Sequence, residues 1–405
     1  MLPTKRRSVT RRIADRVARD LIRNYRFPPR LFGYPFLASA SPAEFDYTLI
    51  DPPATAVVPL PRNIASRDML TRERGVSGFS FYDIPERPMT ETFIATIPNC
   101  RVLSQFDHWG EVDGNEYYVI VTEDNRALDL TGTSYDAALH GSLLSSPPSS
   151  RERIQSAAWV LEWWDRNYSH WVEWILVKIA LLQGRGLAGN ILLPRRHRLS
   201  EVVDSSVRAL GIDPDALPRM GPKVLEVEKL TVVGIDHCRA SLVENLRARL
   251  GVDSPSKRPS RRIFISRKNA AWRKLMNEDD CWAVLSRFGF ERVFMEELGC
   301  RAQFDLMQEA AVLFGVHGAG MANMMFAPAG LHVVEVIDPL FPNPQYYALA
   351  GAIGHPYWLI RGAPIGEPDP GYNNMEIDVA EVERIVAQID ADLQRGELQL
   401  SRHPL

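Results

Sequence analysis

Residues 311–323, AVLFGVHGAGMAN, place a histidine and two glycines where an apolar run passes into a helix-compatible one. At the carboxyl end of a strand in an open parallel sheet, glycines let backbone N–H groups approach a phosphate. The helix start that follows adds about half a positive charge. His317 stands at that edge, within reach of a diphosphate or a sugar hydroxyl, and Gly318, Ala319 and Gly320 make the turn. Taken alone, such a turn is more often a tight strand-to-helix connection than a ligand cradle.

Two further features join it. Residues 262–267, RIFISR, end an apolar run on a hydroxyl and a guanidinium, Ser266 and Arg267. A planar guanidinium at a strand's carboxyl edge suits bidentate capture of two phosphate oxygens. Arg273, ahead of Asn277-Glu278, offers a second cation. The plainer alternative for both arginines is a solvated surface pair. Glu335 lies inside the apolar run 332–337, HVVEVI. A buried carboxylate needs hydrogen-bonding partners. The ribose hydroxyls of a ligand and the backbone N–H groups of the Gly330 turn are the two candidates.

On a helix expected over 168–182, His170, Glu173, Trp174 and Val177 share one face by their three- and four-residue spacing. Trp163, Trp164 and Trp171 add aromatic surface nearby. Such rings pack in a core or stack on sugar rings. Asp213 and Asp215 have the spacing of a metal-binding pair but sit in a Pro-broken turn.

The elements that must position these residues follow from periodicity. Beyond residue 261, strands are expected over 262–266, 292–295, 311–316, 332–337 and 356–360. Helices over 277–288, 303–310, from Gly320 and over 344–353 alternate with them, which defines a doubly wound parallel sheet. Upstream, residues 27–65 are Pro-rich and aperiodic, with strand-like runs over 92–97, 100–104 and 117–122. The stretch 131–150 reads as a loop. Then come helices over 168–182, 199–210 and 239–250, and strands over 190–194 and 224–233. Residues 253–261 read as a linker, and 377–393 as a final helix folding back over the interdomain seam.

Taken in order, RIFISR at 262–267, Arg273, Asn277-Glu278, Gln303, HGAG at 317–320, Asn323, Phe326, Pro328 and Glu335 resemble glycosyltransferase family 61. NYSHW at 167–171, Glu173 and ILLP at 191–194 resemble that family's upstream signature. The resemblance covers roughly residues 90–360. It implies an inverting, metal-independent enzyme of the α/β GT-B type, two Rossmann-like domains facing a cleft. The implied donor is a nucleotide-sugar and the implied acceptor a glycan or lipid-linked molecule, in cell-surface polysaccharide synthesis. No cofactor or metal is expected. His170 then serves as base with Glu173 orienting it, the alternative being His317 as base and His170 as a packing residue beneath the tryptophans. Ser266, Arg267, Arg273, Asn277, Glu278, His317, Gly318, Ala319, Gly320, Asn323 and Glu335 bind the donor. The alternative is a catalytically inactive domain that binds a nucleotide-sugar. The expected division is a basic arm (1–30), an acceptor-side domain (31–252), a donor domain (253–362), and a helix and tail (363–405).

Composition sets the context. Of 405 residues, 45% are hydrophobic and 24% charged. That suits a globular chain with a large core. Residues 1–30 hold ten basic groups against Asp15 and Asp20, a net of +8, which leaves −11 on the rest of a chain whose total is −3. With Val9, Ile13, Val17 and Leu21 on one face, the arm either packs on the acidic body or lies on an anionic membrane. No nucleic-acid partner is expected. Cys100, Cys238, Cys281 and Cys300 lack the spacing of a metal knuckle or disulfide scaffold. With no secretory leader pattern and no spanning apolar run, the expected location is the cytoplasm, peripheral to the inner face of the plasma membrane.

Overall fold

The computed structural model describes residues 39–75, 78–106, 116–135, 151–252, 258–366 and 371–402, with side chains to residue 395. The basic arm, most of the 131–150 loop and the first half of the 253–261 linker lie outside the described residues.

The N-terminal half is built on β1 (Ser39–Ala40), β2 (Asp46–Asp51), β3 (Ala54–Val57), β4 (Glu86–Met89), β5 (Thr92–Phe106), β6 (Glu116–Val121), β7 (Ala127–Leu128), β8 (Arg151–Trp159) and β9 (Val224–Gly234). Seven of them form one sheet in the order β1-β7-β6-β5-β9-β8, with β2 also on β5, while β3 and β4 pair separately. This sheet departs from a Rossmann-like layout. Only β1–β7 and β8–β9 run parallel; the other pairs are antiparallel. Parallel neighbours need a long crossover, and among the described residues β8 and β9 are the consecutive strands of this sheet that α-helices join. The runs expected over 92–97 and 100–104 are one strand, β5. Asn99, at φ 46°, takes up the irregularity between them. The Pro-rich region, expected to be irregular, contributes β2 and β3, because prolines that flank strands leave the ladder between them intact.

Between β8 and β9 lie a helix over 168–183, here α1, and α2 (Ser200–Ala209), while α3 (Ala240–Leu250) follows β9. Asn167 caps α1 by accepting from the Ser169 N–H, so the apparent Asn-Tyr-Ser sequon is a helix start. The helix is not uniform. It begins as α over Tyr168–His170, widens to π over Trp171–Ile175, and returns to α over Leu176–Gln183.

The C-terminal half carries β10 (Arg261–Ile265), α4 (Glu278–Arg287), β11 (Phe290–Val293), α5 (Cys300–Gln308), β12 (Ala310–Val316), a 3-10 helix (Ala319–Phe326), β13 (His332–Ile337), α6 (Gln345–Ala352) and β14 (Tyr357–Arg361). All five strands are parallel, in the order β11-β10-β12-β13-β14. The chain steps from β10 outward to β11 and then back across β10 to β12. The winding therefore reverses between β10 and β12, and in open α/β sheets the ligand crevice lies outside the carboxyl ends of such a pair.

After β14 come the hairpin strands β15 (Ala363–Ile365) and β16 (Asn374–Glu376), then α7 (Val379–Arg402). One sheet face packs on α4 and α7, through Cys281, Leu285, Val382, Ile385 and Ile389 against Phe264, Phe314 and Trp358. The other face joins a core continuous with the N-terminal half, through Phe304, Met324, Phe326 and Tyr347. The final helix thus covers the donor-side sheet rather than the seam. Its apolar stripe matches that sheet's open face, and Arg62–Asp392 at 3.6 Å ties it to the N-terminal half. No helix among the described residues is long and apolar enough to cross a membrane.

Candidate active site at the switch point

Arg267 follows β10, and His317 follows β12, at the crevice that the winding defines. Ser266 donates to Glu278 Oε1 at 2.7 Å, and the Arg267 N–H reaches Glu278 Oε2 at 3.4 Å. Glu278 is buried at the start of α4. It is spent on fixing the 266–267 backbone rather than on a ligand. The Arg267 guanidinium curls back on its own loop, with Nε donating to the Arg273 carbonyl at 3.2 Å and Nη2 to the Trp272 carbonyl at 2.9 Å. Its remaining edge lies on Gly318, where a Cβ would fall 2.1 Å from Nη1. Only a residue without a side chain permits that approach.

Arg273 joins Arg267, and its Nε has no hydrogen-bond partner. Burial, and then the neighbouring Arg273 charge, lower the Arg267 guanidinium to about 10. Burial also lowers Arg273. Among the described residues neither arginine has a carboxylate within ion-pair distance. Two like charges are thus drawn into a partly desolvated crevice, where Glu296, Glu335 and Asp338 act on them through space but form no ion pair with them.

His317 faces the same crevice from β12. Its Nδ1 meets Glu335 Oε1 at 2.5 Å, and the Tyr357 hydroxyl donates to Glu335 Oε2 at 2.5 Å. Of its two expected partners, Glu335 does not take the Gly330 turn. The Gly330 N–H donates to the Gly354 carbonyl instead. The register places Glu335 beside Gly315, two residues ahead of His317, which aligns carboxylate and imidazole. Glu335 holds Nδ1 as the protonated nitrogen and leaves Nε2 for a ligand. Ala319 and Gly320 open the 3-10 helix, whose first N–H groups have no partner within the helix.

Two expected donor contacts have other work. The Asn277 amide donates to the Ile377 carbonyl at 2.8 Å and accepts from the Ile377 N–H at 3.2 Å. Asn323 is fully buried. It accepts from the Tyr168 hydroxyl at 2.7 Å and donates to Gln303 and Gly320, which fastens α1 to the donor half.

On the acceptor side the expected pairing of His170 with Glu173 does not form. The carboxylate beside His170 is Glu162, 3.8 Å from Nδ1, and Glu162 is itself held by buried Lys178 at 2.6 Å. The cause is the π segment, where Leu176 N–H bonds back to the Trp171 carbonyl, five residues away. Its wider turn rotates Glu173 off the face that a regular helix would give it. Glu173 faces the seam, where Gln345 donates to Oε2 at 2.6 Å and His237 Nε2 stands at 3.8 Å. Burial, reinforced by the Glu335 charge, raises its carboxyl to about 8 against the pull of the Gln345 bond. Its Oε1 has no partner. Tyr346, hydrogen-bonded with Ser169, lies among Glu173, Glu335 and Arg273. His237 stacks on Trp174 at 4.0 Å, and burial lowers it to about 4. Trp164, 45% exposed, lies 6.0 Å from His170, and this exposed ring is the one open to a sugar.

Glu162, His237, Gln345, Tyr346 and Tyr357 escaped the sequence reading. Glu162 alone carried a signal, since it interrupts the apolar run VLEWW as Glu335 interrupts its own. Among the described residues, Asp236, His237 and Cys238 bring possible metal-ligand atoms together. Asp236, however, gives both oxygens to Arg87 at 2.8 Å. Asp215 is taken up by Arg208 at 2.8 Å. All four cysteines are free and buried. A cavity of about 550 Å³ opens at the opposite, amino-terminal edge of the sheet, lined by Arg262, Ala310 and Asp390 among others, and shares no residue with the site.

Fold and site together define an α/β protein with an anion-receptive crevice at the switch point of a parallel sheet. Residues 168–334 match the model of the family described as Glycosyltransferase 61. The chain is similar to a beta-1,2-xylosyltransferase of Oryza sativa subsp. japonica, 39% identical over 21% of this chain and 15% of that protein. It is also similar to an EGF domain-specific O-linked N-acetylglucosamine transferase of Drosophila melanogaster, 30% identical over 22% of this chain and 18% of that protein. The matches thus span less than a fifth of either relative's length. Among solved structures, the bacterial iron-containing dodecameric glycosyltransferase TibC from enterotoxigenic E. coli aligns over 76% of this chain and 94% of its own. Its TM-score is 0.30 at 11% identity, too distant to carry an argument.

Proposed function

We propose that this chain is an inverting glycosyltransferase that takes a sugar from a nucleotide-sugar without a metal ion and passes it to a glycan or lipid-linked acceptor in cell-surface polysaccharide synthesis. The observation that carries the reading is the pair Arg267 and Arg273, desolvated, mutually repelling and without a carboxylate, against Gly318. A diphosphate is the ligand that relieves both charges, and a leaving nucleoside diphosphate needs that stabilisation as the glycosidic bond breaks. His317, held by Glu335, donates from Nε2 to a phosphate oxygen when it is protonated. His170 accepts the acceptor hydroxyl's proton, with Glu162 in the orienting role expected of Glu173. Trp164 offers the acceptor sugar a stacking face. The basic arm holds the chain at an anionic surface on the cytoplasmic side. Deleting residues 1–26 should abolish salt-sensitive cosedimentation with anionic vesicles.

The test is a thermal-shift panel of nucleotide-sugars, followed by assay of nucleoside diphosphate release. A ligand at about 100 times its dissociation constant stabilises by about 2.7 kcal/mol. At least one nucleotide-sugar should raise Tm and be slowly hydrolysed, and Arg267→Ala should lose both effects. A panel in which none shifts Tm refutes the reading.

A further inference from the structure

Two large aromatic side chains stand in solvent at the mouth of the arginine pair. Trp272 is 47% exposed and Tyr372 51%, edge to face with ring centroids 5.2 Å apart. The chain ties Trp272 to both cations. Its carbonyl receives Arg267 Nη2 at 2.9 Å, and Arg273 is the next residue. Tyr372 lies within electrostatic range of Arg273. Behind them, Phe341 closes the rim. A Cβ on Gly371 would fall 3.2 Å from its ring, which stands edge-on to His317 at 6.5 Å.

The backbone between indole and guanidinium is strained. Arg273 has φ 55°, in the left-handed region that non-glycine residues avoid. That turn sends consecutive side chains in different directions, one into solvent and one into the crevice. Folding alone does not require an exposed indole to be placed in this way, and such local strain is characteristic of ligand sites.

We infer that Trp272, braced edge to face by Tyr372, is a shelf on which the base of a nucleoside diphosphate stacks while Arg267 and Arg273 hold its phosphates. This rests on the diphosphate reading above and adds where the rest of the nucleotide goes. Every base presents a π face, so stacking tolerates base identity. The shelf therefore contributes affinity for nucleosides in general and leaves the choice of base to other contacts.

Calorimetric titration of the full chain with uridine, guanosine, adenosine and cytidine diphosphates, beside inorganic pyrophosphate, separates the two claims. The tightest nucleoside diphosphate should bind about 5- to 100-fold better than pyrophosphate, the range expected for one stacked base. Trp272→Ala should remove most of that advantage and leave pyrophosphate unchanged. Trp272→Phe should stay within about threefold of wild type, Tyr372→Ala should fall between, and Arg267→Ala should weaken both ligand types. If Trp272→Ala does not fold, Trp272→Phe and Tyr372→Ala carry the comparison. The shelf is overturned if the aromatic variants bind nucleoside diphosphates like wild type, or if pyrophosphate binds as tightly as all four. If wild type binds neither ligand type, or Arg267→Ala changes neither, the diphosphate reading falls and the shelf falls with it.

Discussion

Glu173→Gln tests the seam through its proton. In the folded chain, burial raises the Glu173 carboxyl to about 8 from an ordinary 4.5. Between those values the folded state holds a proton that the unfolded state has released. The stabilising contribution is therefore complete below about pH 4.5 and is lost as pH rises through about 8. One extra bound proton makes stability fall by up to about 1.4 kcal/mol per pH unit across that window. Glutamine has nearly the same shape and keeps a carbonyl oxygen for Gln345, but it cannot ionise. The variant should lack this slope. Urea unfolding at pH 5, 7 and 9 should show wild type at least as stable at pH 5 and the variant more stable by pH 9. Parallel stability curves for the two proteins would mean that Glu173 is not buried in neutral form, and the account of the seam would fail.

Four substitutions address the rest of the site. Arg267→Lys keeps the charge but not the fork, and should cost about 1.5–3 kcal/mol of nucleoside diphosphate affinity by calorimetry. Unchanged affinity removes Arg267 from the site. Gly318→Ala puts a methyl group 2.1 Å from Arg267 Nη1 and must displace the guanidinium. Donor turnover should drop on the order of 10- to 100-fold with Tm nearly preserved, and a silent variant refutes the close approach. His170→Ala should reduce transfer by about 10²–10⁴ while nucleoside diphosphate affinity stays close to wild type. His317→Ala should weaken both, and near-normal transfer by His170→Ala would make that residue a packing group.

The C-terminal half was legible because its candidate chemistry follows the chain. RIFISR ends at Arg267 and VLFGVH at His317, so strand, edge and functional side chain are consecutive in sequence. Glu335 was visible as a carboxylate in an apolar run. Its partners were not, because the Glu335–Tyr357 contact depends on the packing of β13 beside β14, which spacing does not encode. Asn277 and Asn323 show the converse. Their place in an ordered motif suggested ligand contact, yet hydrogen bonds to Ile377 and Tyr168 give them structural roles. The N-terminal sheet was least legible, since its ladder joins residues as distant as Phe93 and Gly234.

The error over His170 and Glu173 has the most chemical consequence. Three-residue spacing assumes a regular helix, and five π-helical residues make that assumption false. On a regular turn, Glu173 would stand beside His170, where Glu162 is held instead by Lys178 and close to the imidazole. The wider turn moves Glu173 across to Gln345 at 2.6 Å, within electrostatic reach of Glu335. An ionised Glu173 there would add a second anion, beside Glu335, to a crevice whose two arginines have no carboxylate within ion-pair distance. A carboxyl raised to about 8 is mostly neutral at pH 7. It bonds across the seam and adds no further negative charge to that already acting on Arg267 and Arg273. Glu162 thus stands beside the His170 imidazole, while Glu173, carried off that face, joins the two halves without adding an anion to the crevice.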